Sequence, residues 1–227
     1  MASDYVNIVS ARDRTEADRA LDEGRRPAET LAFLGVRPGM RVGELGAGGG
    51  YTTELVVRAV GKTGVVFAQN APAFLAAFLK KPWEERVARL AAPPFVRCDR
   101  AFEEPFPPEA RDLDLVFMNA VYHDAVNAKV DRARMNGAVF AALRPGGHYV
   151  VIDSSARPGT GLGATESLHR IDEEAVKAEV EAAGFRLEAT GDFLRRPDDT
   201  RDWSTAPRAA GERRGHGDRF AIKFVKP

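Results

Sequence analysis

The ten residues VGELGAGGGY, 42–51, constrain this chain more than any other stretch. A short apolar strand pattern runs into glycine at alternate positions, Gly46, Gly48 and Gly50, with Gly49 between the last two. A helical pattern begins directly behind them. Alternate glycines let the backbone take left-handed conformations and approach a ligand closely. Strand, glycine turn and helix in that order open a nucleotide-binding α/β unit. Here an acidic residue, Glu44, also stands two positions before the first glycine.

Spacing separates the ligands that such a turn can hold. Dinucleotide folds set a pyrophosphate on the helix N-terminus and use G-x-G-x-x-G. Counted from Gly46 the last glycine would be residue 51, which is Tyr51. Counted from Gly48 it would be residue 53, which is Thr53. No Gly-Lys-Ser/Thr follows, so a phosphate-cradling Walker loop is absent as well. S-adenosylmethionine has no phosphate and carries a sulfonium cation, an ammonium and a carboxylate. An acid beside the turn suits such a ligand, and E-x-G-x-G-x-G from Glu44 to Gly50 has that form.

The rest of the chain gives this turn a setting. At 227 residues, 44% of them hydrophobic, it fits one domain with a sizeable core. Thr15 reads as the N-cap of a short helix, and Pro27 opens a second one through Leu34. Residues 1–14 read as a loose leader. Strands are expected at 41–45, 64–70, 95–99, 113–121, within 144–153 after a Pro-Gly-Gly turn, 185–193 and 218–226. Helices are expected at 51–60, 72–90, 127–143 and 172–183, with Pro93-Pro94 stopping the second of these. LDLVFMNAV is apolar throughout, as in a strand buried on both faces. Alternating strands and helices imply a parallel sheet covered on both sides. The last two strands are joined instead by residues 195–217, a polar loop with six arginines and four acids. Strands joined without a crossover helix are most easily antiparallel.

Composition excludes some partners. Lys+Arg and Asp+Glu both number 33, so the net charge is zero, which argues against a surface built for nucleic acid or anionic membrane. The lone Cys98 allows no internal disulfide and reads as an inert buried thiol. The N-terminus lacks the apolar core of a secretory signal, ~7–15 residues. No apolar run reaches the ~20 residues of a spanning helix. A cytoplasmic protein is expected, monomer or homodimer.

With these motifs the chain resembles the class I S-adenosylmethionine-dependent methyltransferases over nearly its whole length, from RPGMRVGELGAGGGY to FAIKFVKP. The phrases VFAQN, YHDAVN, LRPGGHYVVIDSSA and LHRID are similar to a bacterial group of predicted methyltransferases. The resemblance implies a three-layer Rossmann-like α/β fold, a seven-stranded and mostly parallel sheet whose last strand is antiparallel. It implies a helical cap at 1–34 on a methyltransferase domain at 35–227; the polar composition of 195–217 makes that connection an expected long mobile loop. It implies S-adenosylmethionine as cofactor and S-adenosylhomocysteine as product. By position, Gly46, Ala47, Gly48 and Gly50 form the turn, Glu44 and Tyr51 lie at the methionine end, and Asn119 faces the transfer site. Asp99 contacts the adenine. Asn70 stands where the family usually has an acid for the ribose hydroxyls.

The acceptor side is less marked. NAVYHD follows the fourth strand, at the rim where a substrate enters. His123 is the candidate base or orienting group, assisted by Asp124 or Tyr122. His169 and Arg170 are candidates for holding the acceptor, Arg170 through a bidentate clamp on a carboxylate or phosphate or else in a salt bridge to an acid such as Glu173. His123 and Asp124 are adjacent, and neighbours in an extended segment point apart, so no metal site is expected. A small-molecule acceptor is the first reading. Methylation of RNA or protein, and a non-catalytic cofactor-binding role, are the alternatives.

Overall fold

The computed structural model describes residues 2–90 and 94–227; Pro93 of the expected helix stop lies outside them. The described residues form a seven-stranded sheet in the order β3-β2-β1-β4-β5-β7-β6. Its strands are β1 Arg41–Leu45, β2 Val65–Asn70, β3 Phe95–Asp99, β4 Leu113–Asn119, β5 Leu143–Ser154, β6 Arg186–Gly191 and β7 Arg219–Val225. β1 to β5 pair in parallel. β7 is antiparallel to both β5 and β6. The expected fold class is the observed one.

Strand alternation explains why both faces are covered. On β4, Leu115 and Phe117 enter one apolar cluster while Val116 and Met118 enter the other. The first cluster takes in α1 (Pro27–Leu34) and α2 (Tyr51–Val60) through Leu31, Leu34, Leu55 and Val56. The second takes in α5 (Arg132–Ala142) and α6 (Glu173–Ala182) through Met135, Val139, Val176 and Val180. Between them in the chain lie α3 (Lys80–Leu90) and α4 (Tyr122–Asn127). Each fully buried Leu or Val contributes about 1.5–3 kcal/mol by leaving water.

Three local features depart from the sequence reading. The helical run that begins at Pro72 contains a π turn, Leu75–Leu79, before α3. Residues 122–127 are helical rather than extended. Residues 2–9 are not loose: Ala2–Tyr5 and Val6–Val9 are short helical turns, and Tyr5 and Ile8 pack on the α1–α2 cluster. The Tyr5 hydroxyl donates to the Val36 carbonyl at 2.6 Å. Thr15 is the N-cap of Glu16–Arg19, its side chain accepting from the Asp18 N–H.

No helix among the described residues is long and apolar enough to cross a membrane.

Candidate active site

Strand order reverses between β1 and β4, and ligands of open α/β sheets lie in the crevice beyond the strand ends there. The glycine turn leaves β1 at this point. Gly46, Gly48 and Gly50 have φ of 66°, 60° and 75°. A side chain at Gly46 would put its Cβ 2.3 Å from Val121 Cγ1, and one at Gly50 would lie 2.5 Å from Arg86 Cγ. At Gly48 nothing lies within 4 Å. The outer glycines are therefore demanded by packing, and the middle one faces open space.

Hydrogen bonds from β2 hold the turn. Gly46 N–H donates to Gln69 Oε1 at 2.9 Å and Ala47 N–H to the Gln69 carbonyl at 2.8 Å. Asn70 bonds Gly48 twice, its Oδ1 accepting from the N–H at 2.9 Å and its Nδ2 donating to the carbonyl at 3.1 Å. An aspartate could make only the first of these bonds and would turn a carboxylate oxygen on the Gly48 carbonyl. This gives a physical reason for the amide at a position where the resemblance expects an acid. Arg86, on α3, completes the clamp by donating to the Gly49 carbonyl at 3.0 Å.

Glu44 is 2% exposed and accepts from Thr53 Oγ1 at 2.5 Å. Burial raises its carboxyl to about 7, more than the Thr53 bond and the nearby Arg25 and Arg86 charges lower it. Tyr51 opens α2, and its hydroxyl donates to Asp22 Oδ1 at 2.6 Å. The Arg25 guanidinium stacks on the Tyr51 ring with 4.5 Å to its centre. Asn119 ends β4, its Nδ2 3.3 Å from Thr52 Oγ1. Asp99 ends β3 in a cleft lined by Pro72, Leu75 and Ala76, where Arg97 pairs with it at 2.6 Å.

The other wall of the crevice is the rim of β4 and β5. Ala120 takes φ of 60° and donates its N–H to the Ile152 carbonyl at 2.7 Å, which turns the chain from β4 into α4. That turn seats His123 on Asp153. The backbone N–H of His123 donates to Asp153 Oδ2 at 3.0 Å, and its Nδ1 lies 2.7 Å from Asp153 Oδ1. Burial works against an imidazolium here, but the Asp153 charge and hydrogen bond outweigh it and raise His123 to about 9. His169 Nδ1 is 3.3 Å from His123 Nε2, and Asp124 Oδ1 is 3.4 Å from the same nitrogen. Burial raises the Asp124 carboxyl, with the two histidines opposing it.

Two candidates are placed elsewhere. Tyr122 points the other way from the helix, its hydroxyl donating to Glu179 Oε2 at 2.7 Å and accepting from Asn136 at 3.0 Å. Arg170 is fully buried and paired with Asp199, the Nη1–Oδ2 distance being 2.8 Å. It also donates to the Trp203 and Ser155 carbonyls at 2.9 and 3.0 Å. Its fork is thus spent on anchoring the 195–217 connection. Glu173 pairs with Arg195 and Lys177 instead.

Sequence reasoning passed over three residues of this region, Asp153, Arg86 and Arg219. Asp153 sits at the end of an apolar run and gave no sign of holding a histidine. Arg86 belongs to a helix 36 positions beyond the turn it clamps, among ordinary surface charges. Burial lowers Arg25, and it brings Arg219, close to Arg25 and Asp153, down to about 10. Arg25 belongs to the 1–34 segment expected to cap the domain.

No family model and no curated protein sequence matches the chain. Solved structures do. It is similar to an S-adenosylmethionine-dependent methyltransferase from Aquifex aeolicus, at 16% identity and TM-score 0.65 over 100% of this chain and 99% of that one. It is similar to Aeropyrum pernix fibrillarin with natively bound S-adenosylmethionine, at 14% and 0.57 over 90% and 76%. It is also similar to the [4+2]-cyclase SpnF, at 13% and 0.60 over 90% and 80%. At these identities the likeness is one of fold: the chain shares the mostly parallel seven-stranded α/β architecture of these proteins.

Proposed function

We propose that the chain is an S-adenosylmethionine-dependent methyltransferase acting on a small-molecule acceptor. The observation that carries this reading is the turn itself. Three left-handed glycines present an open face at Gly48, and a buried carboxyl, Glu44, stands two positions before the first of them. A carboxyl raised to about 7 by burial is relieved by a cation beside it. The sulfonium and ammonium of S-adenosylmethionine supply that charge, whereas a pyrophosphate would repel Glu44. The fold alone does not choose methyl transfer, since a [4+2]-cyclase shares it.

S-adenosylmethionine supplies an activated methyl group when bound. The protein's part is orientation and exclusion of water. Glu44 and the glycine turn hold the methionine end, Tyr51 and Arg25 close over it, and Arg25 offers a partner for its carboxylate. Asn70 fixes the turn at the ribose position. Asp99 holds the adenine edge. His123 and Asp124, with His169, form the acceptor side, where Asp153 fixes the His123 ring. The phrases VFAQN and YHDAVN, in the second strand and the rim helix, are the basis for proposing that the chain belongs with a bacterial group of predicted methyltransferases.

Calorimetric titration with S-adenosylmethionine, S-adenosylhomocysteine and NAD in parallel tests the reading. Binding of the first two and not of NAD is expected. Binding of NAD alone would overturn it.

A further inference from the structure

The rim cluster has the dimensions of an ion site. His123 Nε2 lies 3.3 Å from His169 Nδ1 and 3.4 Å from Asp124 Oδ1, and those two are 3.7 Å apart. A triangle with such edges has its centre about 2.0 Å from each corner, the distance at which zinc and its divalent neighbours hold imidazole nitrogen and carboxylate oxygen. The helical form of residues 122–127 is what lets the adjacent His123 and Asp124 face one point, and His169 arrives from the loop after β5.

His123 is also prepared from behind. Asp153 is fully buried, and its oxygens are taken up by His123 Nδ1 at 2.7 Å, by the His123 N–H at 3.0 Å and by the Ser154 N–H at 2.7 Å. Asp153 takes up Nδ1, so Nε2, the corner of the triangle, is the nitrogen left to face an ion, which displaces the Nε2 proton as it binds. Metal-binding imidazoles are oriented in this way by a carboxylate on their other nitrogen.

We propose that His123, Asp124 and His169 bind a divalent first-row transition ion, zinc foremost, with Asp153 as the positioning residue behind His123. Two imidazoles and one carboxylate leave a coordination position open. Asp124 and His169 are only partly buried, so that position opens to the crevice. An acceptor oxygen or sulfur bound there is held at the rim and made more acidic. The role given to the ion rests on the methyltransferase reading; the binding of the ion does not.

Three side chains hydrogen-bonded among themselves would show the same distances, and titration separates the two states. The full-length chain, stripped with chelator, is titrated with Zn2+ by calorimetry and with Co2+ by its visible absorption. One ion per chain is expected. His169→Ala is expected to weaken it by more than about 100-fold, since changes behind a ligand alone cost ~10–100-fold. The same variant keeps a cooperative melting transition in chelator, which shows that it folds. A wild-type chain that takes up neither ion overturns the assignment. So does undiminished affinity in both His169→Ala and Asp124→Asn. Uptake of Zn2+ without binding of either S-adenosyl compound would leave the ion site standing and remove methyl transfer.

Discussion

The glycine turn and the histidine–aspartate rim face one crevice but are put together in opposite ways. The turn is local. Glu44 to Thr53 is a single strand-to-helix passage, and most of the groups it presents are backbone. The rim takes His123 and Asp124 from α4, Asp153 from the end of β5 and His169 from the loop beyond, and its two histidines are 46 positions apart. A backbone site depends on which residues lack a side chain. A side-chain site depends on the frame that brings distant residues together, here the parallel register that sets Asn119 beside Ile152.

Disturbing that frame should therefore have the largest effect. Arg170→Ala leaves Asp199 buried without its partner, and breaking such a pair costs about 3–5 kcal/mol. Urea unfolding is expected to show a clearly lower midpoint with an unchanged slope. A stability loss below about 1 kcal/mol together with a raised acceptor KM would instead make Arg170 a substrate group.

On the turn side, two alanine substitutions separate strain from packing. Positive φ costs alanine about 1–2 kcal/mol at either Gly46 or Gly48. Only at Gly46 does the new Cβ also meet a neighbour, adding about 1–3 kcal/mol of overpacking. Gly46→Ala is thus the less stable protein, while Gly48→Ala keeps most of its stability and loses cofactor affinity. Coincident melting curves for the two would contradict the division of roles along the turn.

A smaller effect is expected from Asn70→Asp. It restores the acid that the resemblance anticipates but removes the donor to the Gly48 carbonyl. A loss of about 1–2 kcal/mol follows from the broken bond. Tighter S-adenosylmethionine binding with no change in melting temperature would show that this amide does not hold the turn.

The same contrast explains what the sequence could reveal. Strands, crossover helices and turn were legible because each is written in neighbouring residues: apolar runs for buried strands, Thr15 and Pro27 for helix starts, glycines for the turn. The last strand's direction followed from a long connection without a helix. Residues 122–127 were not legible as helix because YHDAVN mixes polar and apolar residues over less than two turns. Asp153 could not be matched with His123, nor Arg170 with Asp199, because those pairings exist only once the sheet has closed. Asn70 looked like a weakened ribose ligand until its bonds to Gly48 were seen.

The most direct measurement is the pH dependence of S-adenosylmethionine binding in the wild type and in Glu44→Gln. Burial holds the Glu44 carboxyl near 7 against an ordinary 4.5. Between those values the folded protein keeps a proton that the unfolded chain has lost, so stability without ligand falls as pH rises across that window. A cationic ligand favours the ionised form and releases the proton on binding. Calorimetry from pH 5.5 to 7.5 is therefore expected to show affinity rising with pH, by at most about tenfold per unit, and levelling above 7. Glu44→Gln should bind weakly with a flat profile over the same range. A wild-type affinity that ignores pH, or a Glu44→Gln profile that still rises, would contradict the claim that this carboxylate meets a cationic cofactor at the turn.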